Sequence, residues 1–327
     1  MKILITGGYG FLGFHLANSL SRLNCSITLL DIKPVKDFDN DFKSLLLRDN
    51  ISYIQADLLD KKFHNCLKND YSHVFHLAAL LGVQNVLDNP LQVLSMNFEM
   101  LRNLIYFINS LPTKPILFFA STSEVYAGTL KSSQLEFPTP ENSLLILPDL
   151  DHPRTSYMLS KIYGESLCYA SKIKTIILRP HNLYGPRMGM KHVIPQLIKR
   201  IKNTPKGGSI GIYSPNHKRT FCFIDDAVEQ IYQLINKVNL TSSTFNLGTQ
   251  KPELKMQELG HLLLEVMNRD DILIKQLDNT PGSPERRCPS TVTLDNITGR
   301  KERTSMFLGL KRTYNWYLKN SSQYLVN

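Results

Sequence analysis

The stretch that decides the fold is Lys2-Ile3-Leu4-Ile5-Thr6-Gly7-Gly8-Tyr9-Gly10-Phe11-Leu12-Gly13. A short apolar run stops at closely spaced glycines, and an amphipathic pattern follows over Phe11–Arg22. That order predicts strand, tight turn and helix. Gly7 permits the turn, Gly10 lets backbone amides approach a pyrophosphate, and Gly13 lets helix and strand pack closely. Phe11 and Leu12 open a helix whose N-terminal end carries partial positive charge. The next apolar run, Ser26–Leu30, closes at Asp31, 18 residues beyond Gly13. A carboxylate there accepts hydrogen bonds from adenosine ribose hydroxyls and repels a 2′-phosphate, which points to NAD over NADP. Lys33 and Lys36 nearby leave NADP open. Asp57, after the third apolar run, is a weaker candidate for the adenine amino group.

Further runs alternate outward from this loop. Strands are expected at Ile51–Ile54, His73–Leu77, Pro115–Ala120 and Thr175–Arg179, with helices at Lys61–Asn69, Pro90–Ser110 and Thr155–Ser171. Strand and helix in alternation predict an α/β protein with a doubly wound parallel sheet of the Rossmann kind. After Arg179 the texture changes. Residues 181–219 are rich in Pro, Gly and basic side chains. A helix (Asp225–Lys237), a strand (Thr244–Leu247), a second helix (Met256–Asn268), a Pro-rich stretch (Pro281–Pro289) and a closing helix (Ser305–Lys319) follow. We expect a smaller C-terminal α+β domain against the carboxyl edge of the sheet, where ligands of open α/β sheets bind. The two domains interleave. Residues 1–180 and 220–250 are expected to bind the dinucleotide, and 181–219 with 251–327 to bind substrate.

With 327 residues, 42% hydrophobic and 20% charged, the chain has the composition of a packed protein. Disorder, collagen and small disulfide scaffolds are excluded, and about 150 residues per domain gives two domains. The net charge of +10 is a legitimate nucleic-acid footprint. No basic stretch is interleaved with aromatics, however, so no nucleic-acid partner is expected. No run of 18 apolar residues offers a membrane span, and the N-terminal run is too short for a signal-peptide core. The five cysteines are far apart with no metal-ligand spacing. They read as reduced thiols of a cytoplasmic protein without a metal site.

Tyr157 and Lys161 form the only Y-x-x-x-K in the chain and share a helix face. An ammonium beside a phenol favours the phenolate, so Tyr157 is expected to be a general base near neutral pH. Ser121-Thr122-Ser123-Glu124-Val125-Tyr126 directly follows the fifth strand, which puts its hydroxyls at the carboxyl edge.

Together these motifs resemble the extended short-chain dehydrogenase/reductases of the nucleotide-sugar epimerase/dehydratase family. The likeness covers nearly the whole chain. It runs through T-G-x-x-G-x-x-G at 6–13, H-L-A-A at 76–79, Asn97, S-T-S-E-V-Y at 121–126 and Y-x-x-x-K. It continues with Arg179-Pro180, Asn182-Leu183-Tyr184-Gly185-Pro186-Arg187, Arg219-Thr220-Phe221 through Asp226, and Gly309–Thr313 through Trp316-Tyr317. The resemblance implies that Tyr157 takes the proton of a sugar hydroxyl while C4 gives hydride to NAD. Thr122 would bind that hydroxyl and Lys161 the nicotinamide ribose, with Ser123 and Glu124 completing the catalytic set. It adds Leu58 and Ala78 to the cofactor contacts, and it assigns Asn182, Arg187, Arg219, Arg286 and Arg287 to the nucleotide sugar. A UDP-sugar is the expected substrate and a homodimer through the helices 90–110 and 155–171 the expected assembly.

A 4-keto sugar can then be reduced from the other face, lose water, or lose carbon dioxide. Thr-Ser-Glu at 122–124 and Arg287-Cys288-Pro289-Ser290 look most like UDP-glucuronate decarboxylases. Epimerisation at C4 and 4,6-dehydration stay open. A non-catalytic relative that keeps only the NAD fold is a different class, and such relatives typically lose Tyr or Lys, which this chain retains. The interval from Thr122 to Tyr157, 35 residues, is longer than in the short epimerases. The excess lies in 128–152, where Leu144–Leu147 would cap the sugar or meet a partner. Arg286 or Arg287 would act at C5 or clamp the diphosphate.

Overall fold

The computed structural model describes residues 1–237, 241–280, 283–299 and 303–325. In chain order the first elements are β1 (Lys2–Thr6), α1 (Phe11–Leu20), β2 (Ser26–Asp31), α2 (Asn40–Leu45), β3 (Ile51–Gln55) and β4 (His73–His76). There follow α3 (Val83–Asp88), α4 (Pro90–Ser110), β5 (Ile116–Ala120), α5 (Ala127–Lys131), α6 (Arg154–Ala170) and β6 (Thr175–Pro180). Strands covered on both faces must be apolar throughout. Ile3, Leu4, Ile5, Val74, Phe75, Leu117, Phe118, Ile176, Ile177 and Leu178 are accordingly buried.

β1 to β6 pair in parallel, and with Ser243–Leu247 they form one seven-stranded sheet in the order Ser243–Leu247, β6, β5, β4, β1, β2, β3. The expected doubly wound α/β sheet is what the chain forms. Its order reverses between β1 and β4, and ligands bind in the crevice at such a switch point. α4 begins with proline in its first turn, where the missing amide costs nothing. α6 lies close on β5 at Gly164, where a Cβ would approach the Phe119 ring to 2.6 Å. That contact sets the height of α6 above the sheet edge.

Two expectations fail locally. Residues 61–69 form only one 3-10 turn, Phe63–Cys66. Asp57 and Asp60 accept from the amides of Leu59 and Lys62, both at 2.9 Å, and such local bonds compete with a helix. Conversely, Val193–Asn203 inside the Pro- and Gly-rich stretch is a helix that buries Ile194, Leu197, Ile198 and Ile201. Its i, i+3, i+4, i+7 pattern is masked by Pro195, which the first turn tolerates.

The chain forms two compact units. One comprises residues 1–134, 144–180 and 232–245, and the other 135–143, 181–231 and 246–327. Residues 220–231 and 246–250 thus group with the second unit. The second unit is the smaller, C-terminal α+β part. It contains a three-stranded sheet in which Lys218–Thr220 lies between Glu253–Lys255 and Arg286–Arg287. Within the first unit, the long connection into α6 is fastened to α5. Thr129 Oγ1 donates to the Leu144 carbonyl (2.5 Å) and accepts from the Ile146 amide (3.2 Å). Leu144, Leu147 and Leu150 remain exposed. No helix among the described residues is long and apolar enough to cross a membrane, and the five cysteines are free thiols.

Candidate active site

The glycine loop sits where β1 leaves the sheet. Gly7 has φ +72°, and a Cβ there would come within 2.7 Å of the Ala78 amide nitrogen in the loop after β4. The amides of Gly7 and Gly8 donate to the Leu30 carbonyl (2.9 and 3.2 Å), tying the turn to β2. At Gly13 a Cβ would collide with the Gly7 carbonyl at 2.3 Å. Gly10 caps α1 with backbone alone. The first-turn amides of Phe11 and Leu12 therefore stand at an uncovered helix start, as a pyrophosphate requires.

Asp31 ends β2, and its two oxygens accept from the amides of Tyr9 (3.0 Å) and Lys33 (3.1 Å). This holds the carboxylate rigid with lone pairs left for a diol. Lys33 is turned to Asp37 (3.9 Å) and lies 5.5 Å over the Tyr9 ring. Asp57 is engaged by the Leu59 amide. The Leu58 side chain belongs to the apolar core, so only its backbone is available to a ligand. The donor set fits a dinucleotide with free ribose hydroxyls.

The acid–base groups gather at the carboxyl end of β5. Thr122 caps the short turn Ser123–Tyr126, its hydroxyl accepting from the Glu124 amide at 3.2 Å. The same hydroxyl bonds the Tyr157 phenol. Ser123 is buried in the turn. Lys161, one helical turn beyond Tyr157, is buried and donates to the Ala120 carbonyl at 2.7 Å. Its ammonium lies 5.0 Å over the Phe119 ring and 5.9 Å from the centre of the Tyr157 ring. Asn97 of α4 steadies α6 from behind. It bonds both backbone groups of Leu80 (2.7 and 3.0 Å) and Ser160 Oγ (3.2 Å), and Ser160 Oγ donates to the Tyr157 carbonyl (2.7 Å).

One electrostatic expectation is corrected. Tyr157 is pushed up to about 12, first by burial and then by the Glu124 carboxylate, against a smaller opposing effect of Thr122. Burial brings Lys161 down to about 8. The ammonium serves a carbonyl and not the phenol, so within the chain itself Tyr157 is a neutral acid at neutral pH. Glu124 in turn is paired with Arg154 of α6, Nη2 to Oε2 3.4 Å, a residue the sequence reading did not single out. Glu165 also goes unnamed in the sequence reading, although it continues the i, i+4 series from Lys161, and Ser121 and Tyr126 enter it only as part of the motif after β5.

The expected substrate residues lie in the second unit. Asn182, with φ +43°, donates to the Thr220 carbonyl at 2.9 Å. Arg187 is buried with φ +68°. Arg287 pairs in register with Arg219, and Arg286 with Lys218. Alternation along the strands therefore puts Arg219 and Arg287 on one face and Arg286 on the other. Arg286 is held by Glu253 in a two-pronged pair (2.7 and 2.9 Å) and stacks 4.9 Å over Phe137. Arg219 is buried, donating to the carbonyls of Lys218 (2.8 Å) and Pro284 and to Ser283 Oγ (3.2 Å). Sequence alone left Arg286 and Arg287 equivalent. Strand pairing separates them.

Comparison with known proteins bears on the family and the fold. Residues 3–248 match the NAD dependent epimerase/dehydratase family. The chain is 29% identical to a UDP-N-acetyl-alpha-D-glucosaminuronate decarboxylase of Bacillus cytotoxicus, over 97% of each chain. It is 26% identical to UDP-glucuronate 4-epimerase 4 of Arabidopsis thaliana, over 97% of this chain and 75% of that one. The crystal structure of the UDP-glucuronic acid 4-epimerase from Bacillus cereus, in complex with UDP-glucuronic acid and NAD, has the same fold. The TM-score is 0.81 at 23% identity, covering 98% of this chain and 100% of that chain. The glycine loop, the fixed Asp31 and the Thr122–Tyr157–Lys161 cluster stand on a scaffold shared with such enzymes, and the chain belongs to the NAD dependent epimerase/dehydratase family as an NAD-dependent nucleotide-sugar enzyme.

Proposed function

We propose that this enzyme oxidises C4 of a UDP-hexuronic acid and releases its carboxyl group as carbon dioxide, leaving a UDP-pentose. The observation that carries this reading is Glu124, whose carboxylate is close enough to Tyr157 to raise the phenol. A plain 4-epimerase needs no second acid–base group, whereas chemistry at C5 does. The decarboxylase likeness over the full chain length supports the same choice.

When bound, NAD would supply the acceptor for the C4 hydrogen and its electron pair and the donor that restores them. The phenolate form of Tyr157 would take the proton of O4 as that bond to hydrogen breaks, with Thr122 bonding both the Tyr157 oxygen and the sugar oxygen. Lys161 holds the nicotinamide ribose and adds positive charge. In the resulting 4-keto acid the C5–C6 bond breaks, its electrons pass into the C4 carbonyl as an enolate, and carbon dioxide leaves. Glu124 would relay to C5 the proton taken up from solvent, and Tyr157 would return its proton to O4. The net change is uptake of one proton and loss of one carbon dioxide. Arg219 and Arg287 are assigned to the diphosphate, since planar guanidiniums meet phosphate oxygens in pairs, and Asn182 and Arg187 to the sugar-nucleotide backbone.

We also infer a homodimer through α4 and α6, where Tyr106 and Tyr163 stand 64% and 53% exposed. The test of the reaction is a panel of UDP-hexoses and UDP-hexuronic acids incubated with enzyme and NAD, with products weighed by mass spectrometry. Loss of carbon dioxide supports the proposal. Loss of water, or an isomer of unchanged mass, replaces it with dehydratase or epimerase.

A further inference from the structure

Tyr157, Lys161 and Glu165 follow one another at single helical turns along α6. The Glu165 carboxylate accepts from Ser121 Oγ (2.5 Å) and from Arg179 Nε and Nη2 (2.9 and 2.6 Å). Arg179 Nη1 donates to the Tyr126 hydroxyl at 2.7 Å, and the guanidinium lies 5.0 Å over that ring. All four residues are at most 5% exposed. They come from the end of β5, the turn after it, α6 and β6. Ser121 and Tyr126 bracket Thr122-Ser123-Glu124, so this buried network grips both ends of the turn. Buried ion pairs are poor sources of net stability, because desolvation consumes most of their attraction. Their usual return is a fixed arrangement of the elements they join.

We propose that Glu165, Arg179 and Tyr126 are positioning residues that hold the turn bearing Thr122 and Glu124 in register with the helix bearing Tyr157 and Lys161, and that Glu165, one turn along α6, sets its carboxylate beside the Lys161 ammonium. The proposal rests on the roles given above to Thr122, Tyr157 and Lys161.

The groups around Lys161 show why Glu165 matters electrically. On α6 itself they are Tyr157, Glu165 and Cys168. From β4 comes His76, whose Nδ1 is 2.9 Å from Thr6 Oγ1. Arg179 of β6 stands behind Glu165, and Glu124 faces Tyr157 from the turn. Burial, with Lys161 assisting, pushes His76 down to about 3, so its ring is neutral. Burial pushes Cys168 up to about 12, so it stays a thiol, and Tyr157 is likewise protonated. Cys168 and then Glu165 oppose the desolvation of Lys161, and with Cys168 held as a thiol Glu165 is the one of the two that brings a carboxylate. Replacing it with glutamine removes a raising influence, so the Lys161 ammonium is lost at lower pH.

The experiment measures NAD binding by calorimetry across neutral and alkaline pH for the parent, Glu165→Gln and Tyr126→Phe, with melting temperatures and steady-state kinetics on the UDP-sugar that the parent turns over. In the parent, affinity is expected to fall as pH passes about 8. In Glu165→Gln that fall should begin about one pH unit lower. Tyr126→Phe keeps the charges and should keep the parental pH limb. Its kcat should drop about tenfold with KM within about twofold, as expected of misplaced reacting groups. A merely structural network lowers melting temperature and moves neither readout. An unmoved limb in Glu165→Gln, or parental kcat in Tyr126→Phe, overturns the proposal. If Glu165→Gln does not fold, Tyr126→Phe and Arg179→Lys decide through kcat per folded molecule. A parent that binds NAD yet turns over no sugar counts against the proposed reaction, and the NAD limb then decides the clamp by itself.

Discussion

Glu124→Gln separates the two halves of the proposed reaction. The Tyr157 phenol stands at about 12, lifted first by burial and then by the Glu124 carboxylate. At pH 8 the phenol is therefore held protonated within the chain itself. Glutamine keeps the shape and can still bond Arg154 but removes the negative charge. Burial remains, so the phenol falls part of the way. A change of about one unit corresponds to about 1.4 kcal/mol and about tenfold more phenolate at any fixed pH below the new value. Rapid mixing of enzyme, NAD and sugar at single turnover, read by nicotinamide reduction, reports the C4 oxidation alone. The rate should rise about tenfold in Glu124→Gln, while the yield of decarboxylated product falls because C5 loses the carboxylate that relays its proton from solvent. An oxidation rate that falls or stays at the parental value would refute the electrostatic argument.

Tyr157→Phe should abolish turnover on every sugar while melting temperature and NAD binding stay near parental, as calorimetry and thermal denaturation will report. Surviving turnover would remove Tyr157 from its role. Gly13→Ala puts a Cβ 2.3 Å from the Gly7 carbonyl. We expect NAD affinity to fall at least about tenfold and stability by about 1–3 kcal/mol, seen in titration and urea unfolding, because backbone cannot yield as a flexible side chain would. Tyr163→Glu on α6 should convert the inferred homodimer to monomer in sedimentation velocity, and an unchanged sedimentation coefficient would move the interface elsewhere.

Much of the fold was legible because parallel strands buried on both faces are written as short apolar runs, as in Ile3–Ile5 and Ile176–Leu178. The α4 helix was legible to the residue because Pro90 marks its first turn. Where a side chain competes with the backbone, as Asp57 and Asp60 do, helical periodicity misled. The Val193–Asn203 helix was hidden by a proline that its position makes harmless. Candidate residues were legible as a spacing, Tyr157 to Lys161, but their titration was not. The carboxylate that adds to the effect of burial on Tyr157 lies 33 residues upstream and arrives only through the turn after β5. Likewise Arg286 and Arg287 are adjacent in sequence, and only their register beside Lys218–Thr220 turns one toward Glu253 and the other toward the face of Arg219.

The central claim is that C4 is oxidised and then reduced again on the way to a decarboxylated product. It is tested most directly with a UDP-hexuronic acid carrying deuterium at C4, incubated with enzyme and substoichiometric NAD. The account predicts a UDP-pentose that has lost the carboxyl carbon and keeps deuterium at C4. A decarboxylated product without that deuterium, or none at all from any hexuronic acid, would contradict it.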